Sequence, residues 1–273
     1  MINDILAIVE HPRKAEPVIK AAIALAEARG AHLKIAVLTP GPVTSPALVP
    51  LGAVYLPEPM LEEESRANVA AVETLAADAR CPVAVFGLFD DVAWLAGDIR
   101  RNRQLADLIM VGPPSTWTLG WLRRHVLETQ ILSSGTPIFI LPPDSQSIQL
   151  RRAVIGWKPS AEAARAVHDL VHMLEPGAHI DIVTIALKDE GNRDQAGIDV
   201  QRHLVRHGFA AEIHRLEESA LRESEALQNF ALERRADLLA VGGFAHSRVR
   251  EVVLGGVTRE LVEAPRIPIL FSH

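Results

Sequence analysis

Short runs of Val, Ile and Leu alternate along the chain with longer stretches whose apolar residues recur at helical spacing. In the first half the unbroken apolar runs are Ile5–Val9, Leu33–Leu38, Val83–Phe86, Leu108–Val111 and Ile138–Leu141. Between them the periodicity predicts helices over Glu16–Arg29, Leu61–Ala79, Val92–Arg103 and Gly120–Ser133. In the second half the runs are Ala153–Trp157, Ile180–Ile185, Ala211–Arg215, Leu238–Val241 and Ile269–Phe271. The helices there are Ala161–Leu174, Asp194–His207, Ala220–Arg234 and Arg248–Glu263. Strands that are apolar throughout, rather than alternating, are covered on both faces. Separated by helices, they predict an α/β chain of two tandem, doubly wound, five-stranded parallel sheets.

The two halves repeat one another most clearly near their ends. Ala106-Asp107-Leu108-Ile109-Met110-Val111-Gly112 answers Ala236-Asp237-Leu238-Leu239-Ala240-Val241-Gly242. In each, an acid precedes a strand that stops at glycine. Thr136-Pro137-Ile138-Phe139-Ile140-Leu141 answers Ile267-Pro268-Ile269-Leu270-Phe271, with proline where a missing N–H is tolerated. The polar stretch Pro142-Pro143-Asp144-Ser145-Gln146-Ser147 marks the boundary, giving domains 1–143 and 150–273. The two last strands are candidates to pair with each other as sheet edges. Thr39 to Met60, with prolines at 40, 42, 46, 50, 57 and 59, is long enough to suggest a lid or a contact surface, and the plainer reading is a stiffened, packed insertion.

Composition narrows the class. The 273 residues are 48% hydrophobic and carry a formal net charge of −6, which argues against a general nucleic-acid binder. No stretch approaches the ~20 apolar residues of a membrane span, and the start of the chain lacks the basic and apolar regions of a signal peptide. A cytoplasmic location is therefore expected. The single cysteine, Cys81, cannot form an internal disulfide and reads as a small core residue opening a strand.

Candidate chemistry gathers after the fourth strand of the second half. In a doubly wound sheet, ligands sit outside the carboxyl ends of the strands at the switch in strand order, here between the first and fourth strands. Val241-Gly242-Gly243-Phe244-Ala245-His246-Ser247-Arg248 ends in a helical stretch that leads to Leu254-Gly255-Gly256-Val257-Thr258. Glycines let backbone N–H groups approach a phosphate, and a helix opening there adds a favourable dipole. The plain alternative is a tight strand-to-helix turn with close packing.

This stretch resembles the universal stress protein family, which carries G-x2-G-x9-G-(S/T) at this place; the chain reads Gly242-x2-Ala245-x9-Gly255-Gly256. The resemblance covers both halves and is stronger in the second. It implies Rossmann-like domains of the adenine nucleotide alpha-hydrolase type, paired within the chain about a pseudo-twofold axis. For members with the full motif it implies ATP held between the first strand and this loop. Three departures bear on that. Ala245 replaces the second motif glycine, Gly256 the final Ser/Thr, and Lys158 stands where ATP-binding members carry an acid on the adenosine. Lysine cannot accept a hydrogen bond but can attract a phosphate. In the first half Gly112 persists, but Pro113-Pro114-Ser115 follows, and Arg124-His125 occupies the place of Gly255. Glu10 keeps an acid at the tip of that half's first strand. The first half thus reads as a structural partner domain.

The binding set expected is Gly156, Trp157, Lys158, Ile185, Val241, Gly242, Ala245, His246, Ser247, Gly255, Gly256, Val257 and Thr258, for ATP or ADP with Mg²⁺ or for another small anion. His168 with His172 and His203 with His207 stand at i, i+4, the spacing that puts two imidazoles on one helix face. Neither pair has the H-E-x-x-H glutamate, and ordinary helix-surface histidines are the simpler reading. Arg151-Arg152 and Arg100-Arg101 read as solvated ends of elements. No Walker loop, G-x-G-x-x-G or G-x-S-x-G elbow occurs. The expected function is a universal stress protein-like regulatory binding protein, not an enzyme. The alternatives are a scaffold acting through dimerisation, homodimers included, and protein partners, or a slow nucleotide hydrolase using His246 or a bound metal.

Overall fold

The computed structural model describes residues 2–41, 58–91, 105–133, 135–143, 148–186, 193–217, 221–243 and 256–273. The expected helix Val92–Arg103 and most of the Pro-rich insertion lie outside them. The chain divides into an N-terminal unit, Ile2–Thr136, and a C-terminal unit built from Pro137–Pro142 and Ile148–His273.

The N-terminal unit has strands β1 (Asp4–Val9), β2 (His32–Gly41), β3 (Val83–Asp91) and β4 (Leu108–Val111), with helices α1 (Pro12–Arg29), α2 (Glu58–Ala76) and α3 (Gly120–Ser133). The strands lie β3-β2-β1-β4 and all pair in parallel. Every residue of β4, and Ile5 to Val9 of β1, is buried, as unbroken apolar runs require. α1 starts and stops on local signals. His11 caps it by accepting the N–H of Lys14, Pro12 sits in its first turn, and Gly30 leaves it at φ 62°. Cys81, expected in a buried strand, instead stands half-buried two residues before β3.

The C-terminal unit has β5 (Ile138–Ile140), β6 (Arg152–Gly156), β7 (His179–Ala186), β8 (Ala210–Glu217), β9 (Leu238–Gly242) and β10 (Ile269–Ser272). Its helices are α4 (Ala161–Met173), α5 (Arg193–Arg206), α6 (Glu223–Glu233) and α7 (Gly256–Glu263). The order is β5-β10-β9-β6-β7-β8, parallel from β10 to β8. β5 runs antiparallel to β10, with Phe139 opposite Leu270. The two last strands therefore do pair, and the proline before each leaves the ladder intact.

The repeated Ala-Asp-Leu segment has one structural cause. Asp107 accepts the N–H groups of Asn3 (2.7 Å) and Asp4 (3.1 Å) at the start of β1. Asp237 accepts those of Arg151 (2.9 Å) and Arg152 (2.8 Å) at the start of β6. In each unit one carboxylate ties the entry of the fourth strand to the entry of the first.

Candidate functional site

In the C-terminal unit β6 and β9 are neighbours, with Gly156 opposite Val241, while the chain leaves β6 toward β7 on the other side. The crevice beyond Gly156 and Gly242 is thus the switch point of this sheet. At its β6 side Trp157 follows, its N–H bonded to the Val183 carbonyl at 2.8 Å. Its indole Nε1 is buried without a hydrogen-bond partner among the described residues. Lys158 is exposed, and Ser160 caps α4 by accepting the N–H of Ala163 at 3.1 Å.

Gly242 and Gly256 differ in their surroundings. A Cβ on Gly242 would sit 2.5 Å from the backbone nitrogen of Ala163 and 2.6 Å from the carbonyl carbon of Glu162. This glycine lets the end of β9 press on the first turn of α4, which is the plain packing role weighed against phosphate approach. A Cβ on Gly256 would meet nothing within 4 Å. Gly256 is the first described residue of α7; Val257 is half-buried, and Thr258 is buried. Glu260, midway along α7, ties that helix to the start of α6 by accepting Ser224 Oγ and the Arg222 guanidinium, both at 2.5 Å. Those bonds, Ser224 first, hold its carboxyl below the ordinary glutamate range. Ile185 lies half-buried near the end of β7. Ala245, His246, Ser247 and Gly255 lie outside the described residues.

The equivalent place in the N-terminal unit is filled by its own chain. After Gly112 the prolines lead into a 3-10 turn, Pro114–Thr116, and Trp117 is buried. Glu10, at the tip of β1, is buried and accepts the N–H groups of Thr118 (2.5 Å) and Leu119 (3.2 Å), just before α3. Arg123 is buried too and donates from Nε to the Gly112 carbonyl at 2.8 Å. Arg124, which the sequence pointed to as the obstruction, is instead half-exposed and paired with Glu128.

Sequence reasoning missed a buried charge network at the opposite, amino ends of the C-terminal strands. Asp181 on β7 is fully buried. Its Oδ2 accepts Arg152 from Nε (3.1 Å) and NH2 (2.8 Å); its Oδ1 accepts Arg234 (2.8 Å) and lies 2.7 Å from His214 Nε2. Arg152 is therefore no merely solvated strand end. Burial pushes the Asp181 carboxyl up, but the bonds from Arg234, Arg152 and His214 outweigh it and hold it well below the usual carboxylate range. The signal was an aspartate inside an apolar strand, which needs partners when buried.

No family model matches the chain. In sequence it is 25% identical over 169 residues to a universal stress protein of Synechocystis sp., over 60% of this chain and 57% of that protein. The match thus spans less than two thirds of the relative's length. In fold it is similar to a universal stress protein from Archaeoglobus fulgidus, with a TM-score of 0.70 at 15% identity over 98% of this chain and 95% of that one. It is likewise similar to a putative universal stress protein from Pseudomonas aeruginosa, with a TM-score of 0.57 at 13% identity over 99% and 93% of the two chains. The resemblance to universal stress proteins thus holds in sequence and in fold.

Proposed function

We propose that this universal stress protein-like chain is a regulatory binding protein whose C-terminal unit takes an adenine nucleotide, or a related small anion, beyond the ends of β6 and β9. The observation that carries the reading is the contrast between two equivalent places. In the N-terminal unit Glu10 is closed over by the N–H groups of Thr118 and Leu119. In the C-terminal unit Lys158 is exposed, and Gly256 has open space where its side chain would stand.

The chemistry favours an anion. Lysine brings a mobile positive charge where the family pattern has an acid, and the first turn of α7 offers N–H groups at the positive end of a helix dipole. Binding of the nucleotide through its phosphates, with weaker hold on the adenosine, follows. Mg²⁺ would accompany ATP or ADP as counter-ion. No catalytic group is assigned.

A second reading, a scaffold without nucleotide, is favoured by Gly242, whose glycine is accounted for by packing on α4 alone. Calorimetric titration of ligand-free protein with Mg-ATP, ADP and AMP separates the two. Saturable binding weakened by Lys158→Ala supports the first; no binding up to millimolar nucleotide leaves the scaffold.

A further inference from the structure

One histidine of the first sequence pair, His168, meets the second pair, His203 and His207, in the C-terminal unit. His168 on α4 stands against His203 on α5 with ring centroids 5.3 Å apart and planes at 81°. His203 in turn stands 4.5 Å from His207, in the turn after α5, with planes at 51°. Rings that hold one tetrahedral zinc through nitrogens at ~2.0–2.1 Å have centroids roughly 5 Å apart, close to the His168–His203 and His203–His207 spacings, although the nitrogens of all three are not yet gathered within 4.8 Å of one another and the outer rings must turn to share an ion. His203 Nε2 is buried and has no hydrogen-bond partner among the described residues. An orphaned polar atom of this kind costs stability unless something occupies it. The flanking rings, His168 and His207, are exposed to solvent.

We propose that His168, His203 and His207 form a binding site for a borderline-soft divalent cation, Zn²⁺ in the first instance, with water completing the coordination. Imidazole suits zinc, copper and nickel, while magnesium and calcium require oxygen ligands that this trio lacks. Burial and then the facing His207 and His168 push the His203 pKa below its ordinary value, so the ring keeps a lone pair for a metal. Arg206 adds to that effect and opposes a cation, but it is exposed to solvent.

The rival cluster in the same unit is His179, Asp181 and Glu212, whose ligand atoms lie within 4.8 Å of one another. Its charges are already met. Asp181 holds Arg152 and Arg234, and Arg234 also holds Glu212 at 2.9 Å. A divalent ion there would have to displace or face two guanidinium groups. At the histidine trio the neighbouring cation is the exposed Arg206, not a pair of guanidinium groups already bound to the ligands.

The test uses the full, tag-free chain freed of metal by chelation and titrated with Zn²⁺, followed by Co²⁺ as a spectroscopic probe. One equivalent of Zn²⁺ should bind and raise the melting temperature, and Co²⁺ should show the intense visible bands of tetrahedral nitrogen coordination. His203→Asn, and separately the exposed pair His168→Gln with His207→Gln, should each weaken zinc binding at least roughly tenfold. The exposed pair guards against a His203 variant that merely fails to fold. Glu212→Gln should bind as the parent does. Absence of stoichiometric binding, binding that survives both histidine variants, or binding lost only in Glu212→Gln each overturns the assignment.

Discussion

The buried carboxylate of Glu10 accepts the backbone N–H of Thr118 at 2.5 Å, and with it the tip of β1 is closed by the chain's own α3 entry. Leu119 supplies a second N–H at 3.2 Å. Glu10→Ala leaves both donors without their acceptor and should cost about 1–3 kcal/mol. The urea midpoint of the N-terminal unit, or exchange protection along β1, reads the loss. Nucleotide affinity should not rise, because the turn at Pro114–Thr116 and the side chain of Trp117 stay in place.

Gly242 and Gly256 should respond oppositely to the same substitution. Gly242→Ala drives a methyl into the backbone of Glu162 and Ala163, which a side-chain rotation cannot relieve. A loss of about 1–3 kcal/mol is expected, the usual range for overpacking. Gly256→Ala meets open space on a helical residue and should be neutral or stabilising by a few tenths, at most ~1 kcal/mol. Denaturation midpoints of the two variants check the contrast; equal costs would contradict it.

Asp181 makes stability depend on acid. Its folded pKa lies below the unfolded value of about 3.9, so its contribution is complete above that pH. The contribution is lost as pH falls below about 4 toward the lower folded value, because the unfolded chain then takes up the proton first. Asp181→Asn should be destabilised at pH 7 by about 3–5 kcal/mol, the cost of leaving buried cationic partners without their anion. The gap between parent and variant should narrow below pH 4. Urea denaturation at stepped pH gives both numbers; a constant gap would show that the network is not what the carboxylate stabilises.

Asp107 and Asp237 should behave as equivalents. Each bonds two N–H groups at the entry of its unit's first strand. Alanine at either position should cost about 1–2 kcal/mol, with the loss confined to the unit that carries it. Site-resolved hydrogen exchange distinguishes a local from a shared effect.

Much of the fold was legible because most of the inner strands are unbroken apolar runs, with proline, glycine and aspartate marking their ends. Leu108–Val111 and Leu238–Gly242 were found this way, and so was the pairing of Ile138–Ile140 with Ile269–Ser272. The switch point in the C-terminal unit was legible from strand order and from the glycines around it. Contacts between side chains far apart in sequence were not. Nothing local says that Arg152, Asp181, His214 and Arg234 converge, or that His168 meets His203, since both depend on how strands and helices stack. Cys81 was misplaced because its apolar neighbours start the strand two residues later. Arg123 was passed over for Arg124, because only the helix phase of α3 decides which of two adjacent arginines turns inward.

In the proposed function the C-terminal unit holds an anion beyond β6 and β9 while the N-terminal unit does not. Isothermal titration of ligand-free protein with Mg-ATP, ADP and AMP tests it most directly. One saturable site per chain is expected, weakened about tenfold by Lys158→Ala and unaffected by Glu10→Ala. No heat with any of the three up to millimolar concentration, or binding indifferent to Lys158, would contradict it.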